Sequence, residues 1–318
     1  MPGVRRKGPH DPRGAPLSAA NRFPGGMALA QIVPVEMPIP GGVRVVEYTD
    51  PYSVWCWGCE PLVRRLEYRY PDVEVVTVMG GLFEDFTPMK EYWIRMSGGR
   101  WQETVEAFLT AVAGQHGMPT NVPGMMTWME DFRSTWPACI AVKAAERQGV
   151  EAGRKYLRRI REAVQVEGRD IGARETQIAL AKEADLDSSS FAGALDDGST
   201  RLAFKDGLTQ CQLRGVSGFP SFDIQRGELS VRVEGFRTWE AFDQLLHELH
   251  PDVRPRPLEP SAGAVVDILR SFGRCATREV AGVLGTTDDD AEILLEELEV
   301  AGRAKREVHG VAVLWRVS

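Results

Sequence analysis

The chain has 318 residues, of which 43% are hydrophobic and 26% are charged. This composition is typical of a globular protein, and the length is sufficient for more than one buried core. The formal net charge of −7 argues against nucleic acid or an anionic membrane surface as a partner, because both would repel the protein. No apolar run is long enough to span a bilayer.

Residues 1–40 predict a disordered leader. Its first 26 residues are rich in Pro, Gly and Arg, and the apolar stretch that follows is interrupted in a way that a signal peptide would not be, by Gln31, Pro34, Glu36 and Pro38. We therefore expect the protein in the cytoplasm. The five cysteines are too few, and odd in number, for a disulfide scaffold. In a reducing compartment a closely spaced pair indicates redox chemistry or metal binding instead.

The first structured part of the chain predicts a βαβ unit. Val43–Tyr48 has the apolar, β-branched composition of a strand, and Asp50-Pro51 turns the chain after it. Apolar residues then recur at helical spacing as far as Tyr70, and Val73–Val78 reads as a second buried strand. Strand, helix and strand within about forty residues imply a parallel pair with a right-handed crossover.

The pattern then becomes helical over residues 88–209, after which strand residues return. Ser221–Ile224 and Leu229–Val233 predict an antiparallel hairpin, and an amphipathic helix follows from a Thr238 cap. The order is therefore βαβ, a long helical insertion, then ββα. This order predicts an α/β domain over residues 41–250.

Four prolines within residues 251–260 predict a stiff linker, and residues 261–318 predict a second, smaller module. Three short helices and an alternating hairpin indicate a winged-helix-like module, with the elements Gly263–Phe272, Thr277–Leu284, Asp288–Ala301 and Ala304–Val317. The third helix is strongly acidic and would repel phosphates. We therefore expect either contact with a protein partner or simple structural capping, and no nucleic acid, for this module.

Two cysteines stand where the first strand gives way to the first helix. Cys56 and Cys59 are separated by two residues, and a helix N-terminus presents unpaired N–H groups that stabilise a thiolate. The pair therefore predicts thiol chemistry. The alternatives are two small buried residues on a packed helix, or half of a zinc site. The remaining cysteines and the scattered histidines supply no second ligand pair at zinc-finger spacing, so we expect no metal.

The segment from Asp50 to Pro61 resembles the active-site segment of cytoplasmic DsbA-family proteins, which include the FrnE-like dithiol oxidoreductases. Gly215–Phe222 resembles the cis-proline loop of that family. The resemblance covers residues 43–249 and implies a thioredoxin-like fold and a thiol–disulfide oxidoreductase or isomerase without a bound cofactor. It also implies that protein or small-molecule thiols and disulfides are bound by the residues next to the two motifs, which are Trp55, Trp57, Gly218, Phe219 and Pro220.

One position departs from the family. The attacking cysteine of the family usually stands three residues before the second cysteine, and in that register this chain has Ser53, with Cys56 at the resolving position and Pro61 at the usual kink. In the other register Cys56 is the nucleophile and Cys59 resolves the mixed disulfide. The helix dipole would then lower the pKa of the outer thiol more than that of the inner one. The sequence leaves both registers open.

The serine also leaves other functions open. Serine cannot take part in thiol–disulfide exchange, but its hydroxyl can hydrogen-bond a bound thiolate. The kappa-class glutathione transferases and related isomerases resemble this fold and keep a serine at that place, which implies glutathione as a co-substrate at Ser53. DsbA-like protease adaptors also resemble it and use the fold for protein recognition. The candidates are thus a thiol oxidoreductase or isomerase, a glutathione-dependent enzyme and a non-catalytic adaptor.

Overall fold

A computed structural model describes residues 31–32 and 42–318. Its central sheet has five strands, which are β1 (Gln31–Ile32), β2 (Val43–Thr49), β3 (Val73–Met79), β4 (Ser221–Arg226) and β5 (Leu229–Glu234). The strand order is β1-β5-β4-β2-β3. Strand β2 runs parallel to β3 and antiparallel to β4, so the sheet is mixed.

Helices connect and cover these strands. The crossover from β2 to β3 contains α1 (Val54–Gly58) and α2 (Glu60–Arg69), and β5 is followed by α11 (Trp239–Leu249). The insertion between β3 and β4 consists of α3 (Thr87–Ser97), α4 (Trp101–His116), α5 (Val122–Met126), α6 (Trp136–Glu146), α7 (Val150–Gln165), α8 (Arg174–Glu183), α9 (Ser188–Asp196) and α10 (Gly198–Arg214).

The sheet is covered on both faces, which explains why β2 is almost entirely buried. On one face Val45 packs with Leu66 of α2 and Phe242 of α11. On the other face Tyr48 packs with Cys211 of α10. The predicted thioredoxin-like fold with βαβ and ββα halves around a helical insertion is confirmed.

A compact three-helix module with a hairpin follows α11. Its elements are α12 (Ala262–Phe272), α13 (Thr277–Leu284), α14 (Asp288–Val300), β6 (Ala304–His309) and β7 (Ala312–Val317). It has a core of its own, which includes Val265, Leu295 and Trp315. The connecting residues 251–260 have no regular secondary structure and lie along α2, where the Arg69 side chain donates to the Arg256 carbonyl over 2.7 Å.

The module packs directly on α2 through α13. Gly282 faces Pro61 so closely that a Cβ on this glycine would lie 3.1 Å from the Pro61 Cβ. Arg65 donates to the Gly282 carbonyl and Arg69 to the Val283 carbonyl, each over 3.1 Å. The module is therefore fastened to the helix that follows the cysteine motif.

The described structure differs from the sequence expectations at some boundaries. The leader expected over residues 1–40 lies outside the described residues except at Gln31–Ile32, which pair with β5 and are part of the sheet. The helical insertion begins at Thr87, and its last helix continues to Arg214. Within the described part of the chain, no helix is both long enough and apolar enough to cross a membrane.

Candidate functional site

A buried carboxylate organises the turn before the cysteine motif. Asp50 follows β2, and its side chain accepts hydrogen bonds from the backbone N–H groups of Tyr52 (2.9 Å) and Leu82 (2.7 Å). Burial raises the pKa of this carboxyl group, although these hydrogen bonds oppose the shift. The thiol of Cys139 lies 3.5 Å from the same carboxylate and donates to it, so Cys139 is a buried structural residue.

Ser53 stands at the start of α1. Its backbone N–H donates to the Asp50 carbonyl over 3.1 Å, and its hydroxyl accepts from the Cys56 N–H over 3.2 Å, which is an N-cap. The helix breaks at Cys59, which ends α1 and precedes α2, and Pro61 lies in the first turn of α2. A helix start at Ser53 and a break next to Pro61 support the register in which Ser53 has the attacking position.

Neither thiol of the motif lies at the surface. Cys56 is 0% exposed and Cys59 is 1% exposed, and both are free. Burial raises the pKa of Cys56 to about 11, with Arg161 opposing it, and also raises the pKa of Cys59 well above its usual range. Cys56 therefore does not have the lowered pKa of a reactive thiol at a helix start, because desolvation outweighs any effect of the helix dipole. A thiol with such a pKa is almost entirely protonated, and hence unreactive, at neutral pH.

A buried network of charges centred on Arg161 of α7 lies next to Cys56. The guanidinium donates to Glu47 of β2 over 3.0 Å, to Glu60 of α2 over 2.5 Å, and to the hydroxyl of Thr49. Burial by itself would raise the pKa of Glu60, but Arg161 and two further arginines outweigh it and lower that pKa to about 2. The sequence does not predict this network; its local signal is Glu47, a carboxylate at a position where β2 is buried.

The same network continues into the C-terminal module. Arg158 of α7 donates to both carboxylate oxygens of Glu279 in α13, each over 2.8 Å, and to Glu60 over 3.2 Å. Glu279 is fully buried, lies 3.4 Å from Arg64 of α2, and accepts from the Ala276 N–H over 2.7 Å. Alternating buried charges thus connect the module with the residues next to the cysteine motif.

The proline loop lies beside α1. The Phe219–Pro220 peptide bond is cis, and the Pro220 carbonyl accepts from the Gly235 N–H over 2.8 Å. Phe236, which follows Gly235, packs on Trp55 of α1 with ring centroids 5.8 Å apart. The two motifs, which are far apart in sequence, therefore meet at one end of the sheet.

Phe219 fills a gap that a glycine leaves. A Cβ on Gly80 would lie 2.0 Å from the Phe219 Cζ, so the ring occupies the place of a side chain. The Gly80 N–H donates to the Thr49 carbonyl over 2.8 Å, which holds this glycine next to the end of β2. On the other side of the loop, the Ser221 hydroxyl donates to the Gly218 carbonyl over 2.8 Å. Gly218 and Phe219 remain half-buried and accessible to a partner.

Trp55, His116 and Phe236 form an aromatic cluster beside this loop. The ring centroids of Trp55 and His116 are 6.4 Å apart. Burial, with a contribution from Arg278, lowers the pKa of His116 to about 4. Because its Nδ1 accepts from the Met118 N–H over 3.0 Å, the neutral ring carries its proton on Nε2. His116 is itself buried and, because it is neutral, it adds no charge next to the half-buried rings of Trp55 and Phe236.

Trp57 does not lie where the sequence predicts. The resemblance implies that it contacts substrate, but its side chain is 0% exposed, so that prediction is wrong. Its indole N–H donates to the Pro119 carbonyl over 2.9 Å, and the Arg158 guanidinium lies 4.7 Å from its ring centroid. The residues that bury it come from the insertion and from the C-terminal module, and they are Met118, Val166, Ala276, Ala312 and Leu314.

The accessible part of the site is thus aromatic and contains backbone groups of the proline loop. Trp55, Phe219 and Phe236 are half-buried there, whereas both motif thiols lie beneath the surface. Within residues 31–32 and 42–318, no group of three or more His, Cys, Asp or Glu side chains is arranged to hold a metal ion. The arrangement suits contact with another chain better than nucleophilic attack.

The chain is similar to two groups of known proteins. A family model described as thioredoxin matches residues 47–244. The ClpXP adapter protein SpxH of Shouchella clausii is 23% identical over 88% of this chain and 90% of its own length. SpxH of Bacillus subtilis is 22% identical over 86% of this chain and 89% of its own length.

Solved structures with a similar fold cover less of the chain. The cytosolic disulfide reductase DsbM from Pseudomonas aeruginosa has a TM-score of 0.50 and 25% identity, over 65% of this chain and 99% of its own. A probable DsbA oxidoreductase from Streptomyces coelicolor has a TM-score of 0.52 and 20% identity, over 68% of this chain and 93% of its own. The 88% matched by SpxH is more than residues 1–250 contain, so that match includes part of the C-terminal module.

Proposed function

The chain belongs to the thioredoxin family, whose model matches residues 47–244. We propose that it is a protein-binding adapter that presents a client protein to a ClpXP-type protease. The observation that carries the proposal is the burial of both motif thiols, which belong to a helix capped by Ser53. A thiol–disulfide enzyme needs an accessible thiolate at that helix start. We further propose that the protein acts in the cytoplasm, where free thiols stay reduced.

Two further observations support an adapter. The likeness to SpxH extends into the C-terminal module, whereas the likeness to the disulfide reductase DsbM covers 65% of the chain. The accessible surface next to the proline loop is formed by Trp55, Phe219 and Phe236, and aromatic side chains are enriched at protein interfaces. We therefore place the client on this aromatic surface.

Thiol–disulfide exchange is the second candidate function. Cys56 and Cys59 are close enough that ionisation of Cys56 would raise the pKa of Cys59, as in a redox pair. The disulfide reductase DsbM, whose fold is similar, is 25% identical to this chain. A glutathione-dependent reaction stays a third possibility to test, because the Ser53 hydroxyl accepts from the Cys56 N–H and keeps its own proton to donate. Each candidate function requires a different subset of Ser53, Cys56 and Cys59.

A degradation assay with a matched thiol variant tests the proposal. Clients are first identified in the source organism as proteins whose half-lives lengthen both when this gene is deleted and when ClpXP is inactivated. The purified client, ClpXP and this protein are then combined. We expect client degradation to require this protein, and the double variant Cys56→Ser/Cys59→Ser to support it at the wild-type rate. Insulin reduction by the wild type should not exceed the background.

Other results would assign another function. If no protein has a half-life that depends on both genes, the adapter proposal is wrong. If the wild type reduces insulin and the double variant does not, the protein is a thiol oxidoreductase. A glutathione-conjugating activity that Ser53→Ala abolishes and the double variant retains would instead indicate a glutathione-dependent enzyme.

A further inference from the structure

The C-terminal module closes over the middle of the cysteine motif. Trp57 stands between the two cysteines, and it is covered by Ala276, the N-cap of α13, and by Ala312 and Leu314 of the hairpin. All four side chains are buried, with exposures of 0–1%. The motif helix α1 is therefore held at its centre by residues from the far end of the chain.

The module is also held by charge. The Glu279 carboxylate, 0% exposed, bonds Arg158 through both oxygens and lies 3.4 Å from Arg64. Both arginines belong to the thioredoxin domain, and both also approach Glu60 of α2. Separating α13 from α2 would break the two hydrogen bonds between Glu279 and Arg158, although Arg158 would keep its bonds to Glu60 and Glu162.

Helix α1 has no room to move in the opposite direction. A Cβ on Gly58 would lie 2.6 Å from the Cγ of His116, so the helix already lies against α4. On the outer side, Gly282 of α13 lies against Pro61 at the start of α2. Movement of α1 and α2 away from α4 is therefore opposed by the module, which lies against Trp57 and Pro61.

We infer that the C-terminal module is an intramolecular clamp that keeps Cys56 and Cys59 unreactive, and that the thiols become accessible only when α13 separates from α2. The inference goes beyond the proposed function, because it concerns the reactivity of the motif and holds whatever the client is. In this role the module contacts the thioredoxin domain of its own chain, and it can still contact a partner protein.

The five free cysteines allow the clamp to be tested in the intact chain. A buried thiol reacts with iodoacetamide only through an opening of the structure, so its labelling rate reports the free energy of that opening. Cys139 lies in the core of the insertion, Cys211 lies behind the sheet and Cys275 lies in the core of the module. These three thiols report whether an opening is confined to the motif.

Two substitutions weaken the contact in different ways. Gly282→Leu places a side chain against Pro61 and should force α13 away from α2, and it causes no backbone strain because this glycine lies within a helix. Glu279→Gln keeps the shape and the bond to the Ala276 N–H but removes the charge that neutralises Arg158. Gly263→Leu is the control for the first, because the site around Gly263 is open.

Glu296→Gln is the control for the second substitution, because Glu296 pairs with Arg306 in an exposed position of the same module. We expect Gly282→Leu and Glu279→Gln each to raise the labelling rates of Cys56 and Cys59 on the order of tenfold or more. Cys139, Cys211 and Cys275 should keep their wild-type rates, and both controls should leave all five rates unchanged. The labelled sites are identified by peptide mass spectrometry.

Two outcomes would overturn the inference. Wild-type labelling of Cys56 and Cys59 in both Gly282→Leu and Glu279→Gln would show that the module does not restrain α1. An increase of all five rates by the same factor would show that the substitutions promote unfolding of the whole chain rather than release of a clamp.

Discussion

At Ser53 a single oxygen in place of sulfur decides which chemistry the motif can perform. The hydroxyl caps α1 by accepting the Cys56 N–H over 3.2 Å, so the helix start keeps its geometry. In the register with Ser53 at the attacking position, that place has no thiol, and Cys56 has the buried second position. We propose that the chain keeps the scaffold of a redox site there without its nucleophile.

Restoring that sulfur should restore exchange. In Ser53→Cys the new thiol lies at the helix N-terminus, where unpaired N–H groups lower a thiol pKa, and it stands three residues before Cys56. We expect this variant to form a disulfide with Cys56 under mild oxidation and to reduce insulin above the background of the wild type. Peptide mapping identifies the disulfide, and turbidity measures insulin reduction.

A cysteine at an exposed position serves as the control. Ser189→Cys in α9 adds one thiol to the surface without a neighbouring cysteine, so it should leave insulin reduction at background. If Ser53→Cys forms no disulfide with Cys56 and stays inactive, the register with Ser53 at the attacking position is not the one that this chain uses.

The sequence predicts the helix start at Ser53 because the signal is local, namely an extended strand, a turn and a capping residue. It does not predict the burial of Cys56 and Trp57, because the residues that bury them are remote. Arg161 lies more than a hundred positions away and Leu314 more than two hundred. Periodicity within a short helix contains no information about such partners, so the sequence does not predict the burial that raises the pKa of Cys56.

Between elements, the buried charges of α2, α7 and α13 make stability depend on pH. The pKa of Glu60 is about 2 in the folded protein against an ordinary 4.5, because Arg161 and its neighbours outweigh the effect of burial. A carboxyl group with a lowered folded pKa stabilises the fold fully above its unfolded pKa, and this contribution is lost as the pH falls towards the folded pKa. The sensitive window is therefore from about pH 4.5 down to about pH 2.

The substitution Glu60→Gln should remove this dependence. We expect the difference in unfolding free energy between the wild type and the variant to be smaller at pH 3 than at pH 7 by about 2 kcal/mol. Urea unfolding at the two pH values measures it. Glu74→Gln, at the exposed pair with Arg44, is the control and should keep the same small difference at both pH values. An unchanged difference for Glu60→Gln would contradict the assignment.

The order of the elements is predictable from the apolar pattern, whereas the break in the first helix is indicated only by Pro61. Apolar residues repeat without interruption from Leu62 to Tyr70, and this pattern predicts one helix after the turn. The structure has two, because Cys59 ends α1 and Pro61 lies in the first turn of α2. Proline is compatible with the first turn of a helix and not with its interior, so Pro61 requires the new start.

Across the whole molecule, the module and the thioredoxin domain should unfold together. The linker does not allow the two parts to unfold independently, because Trp57 is buried by residues of both parts and Glu279 of the module accepts a hydrogen bond from Arg158 of the thioredoxin domain. We expect the labelling of Cys139 and of Cys275 in increasing urea to follow the same transition. Two separate transitions would show that the parts unfold independently.

The substitution Trp57→Ala tests this coupling. Removing a fully buried tryptophan should lower the unfolding free energy by about 3–5 kcal/mol, and it should shift the Cys139 and Cys275 transitions together. Trp55→Ala removes the same side chain from a half-buried position and should cost less. Equal costs for the two tryptophans would contradict the role of Trp57 at the centre of the molecule.

The contact between Gly80 and Phe219 limits how this sequence can vary. Because a Cβ on Gly80 would lie 2.0 Å from the Phe219 ring, even alanine at position 80 would displace the residue that precedes the proline. The two positions, which lie on either side of the insertion, can therefore change only as a pair, with a smaller residue replacing Phe219 before a side chain appears at Gly80. Substitution at this site therefore takes two mutations, and the proline loop keeps its position only if Phe219 is replaced before Gly80.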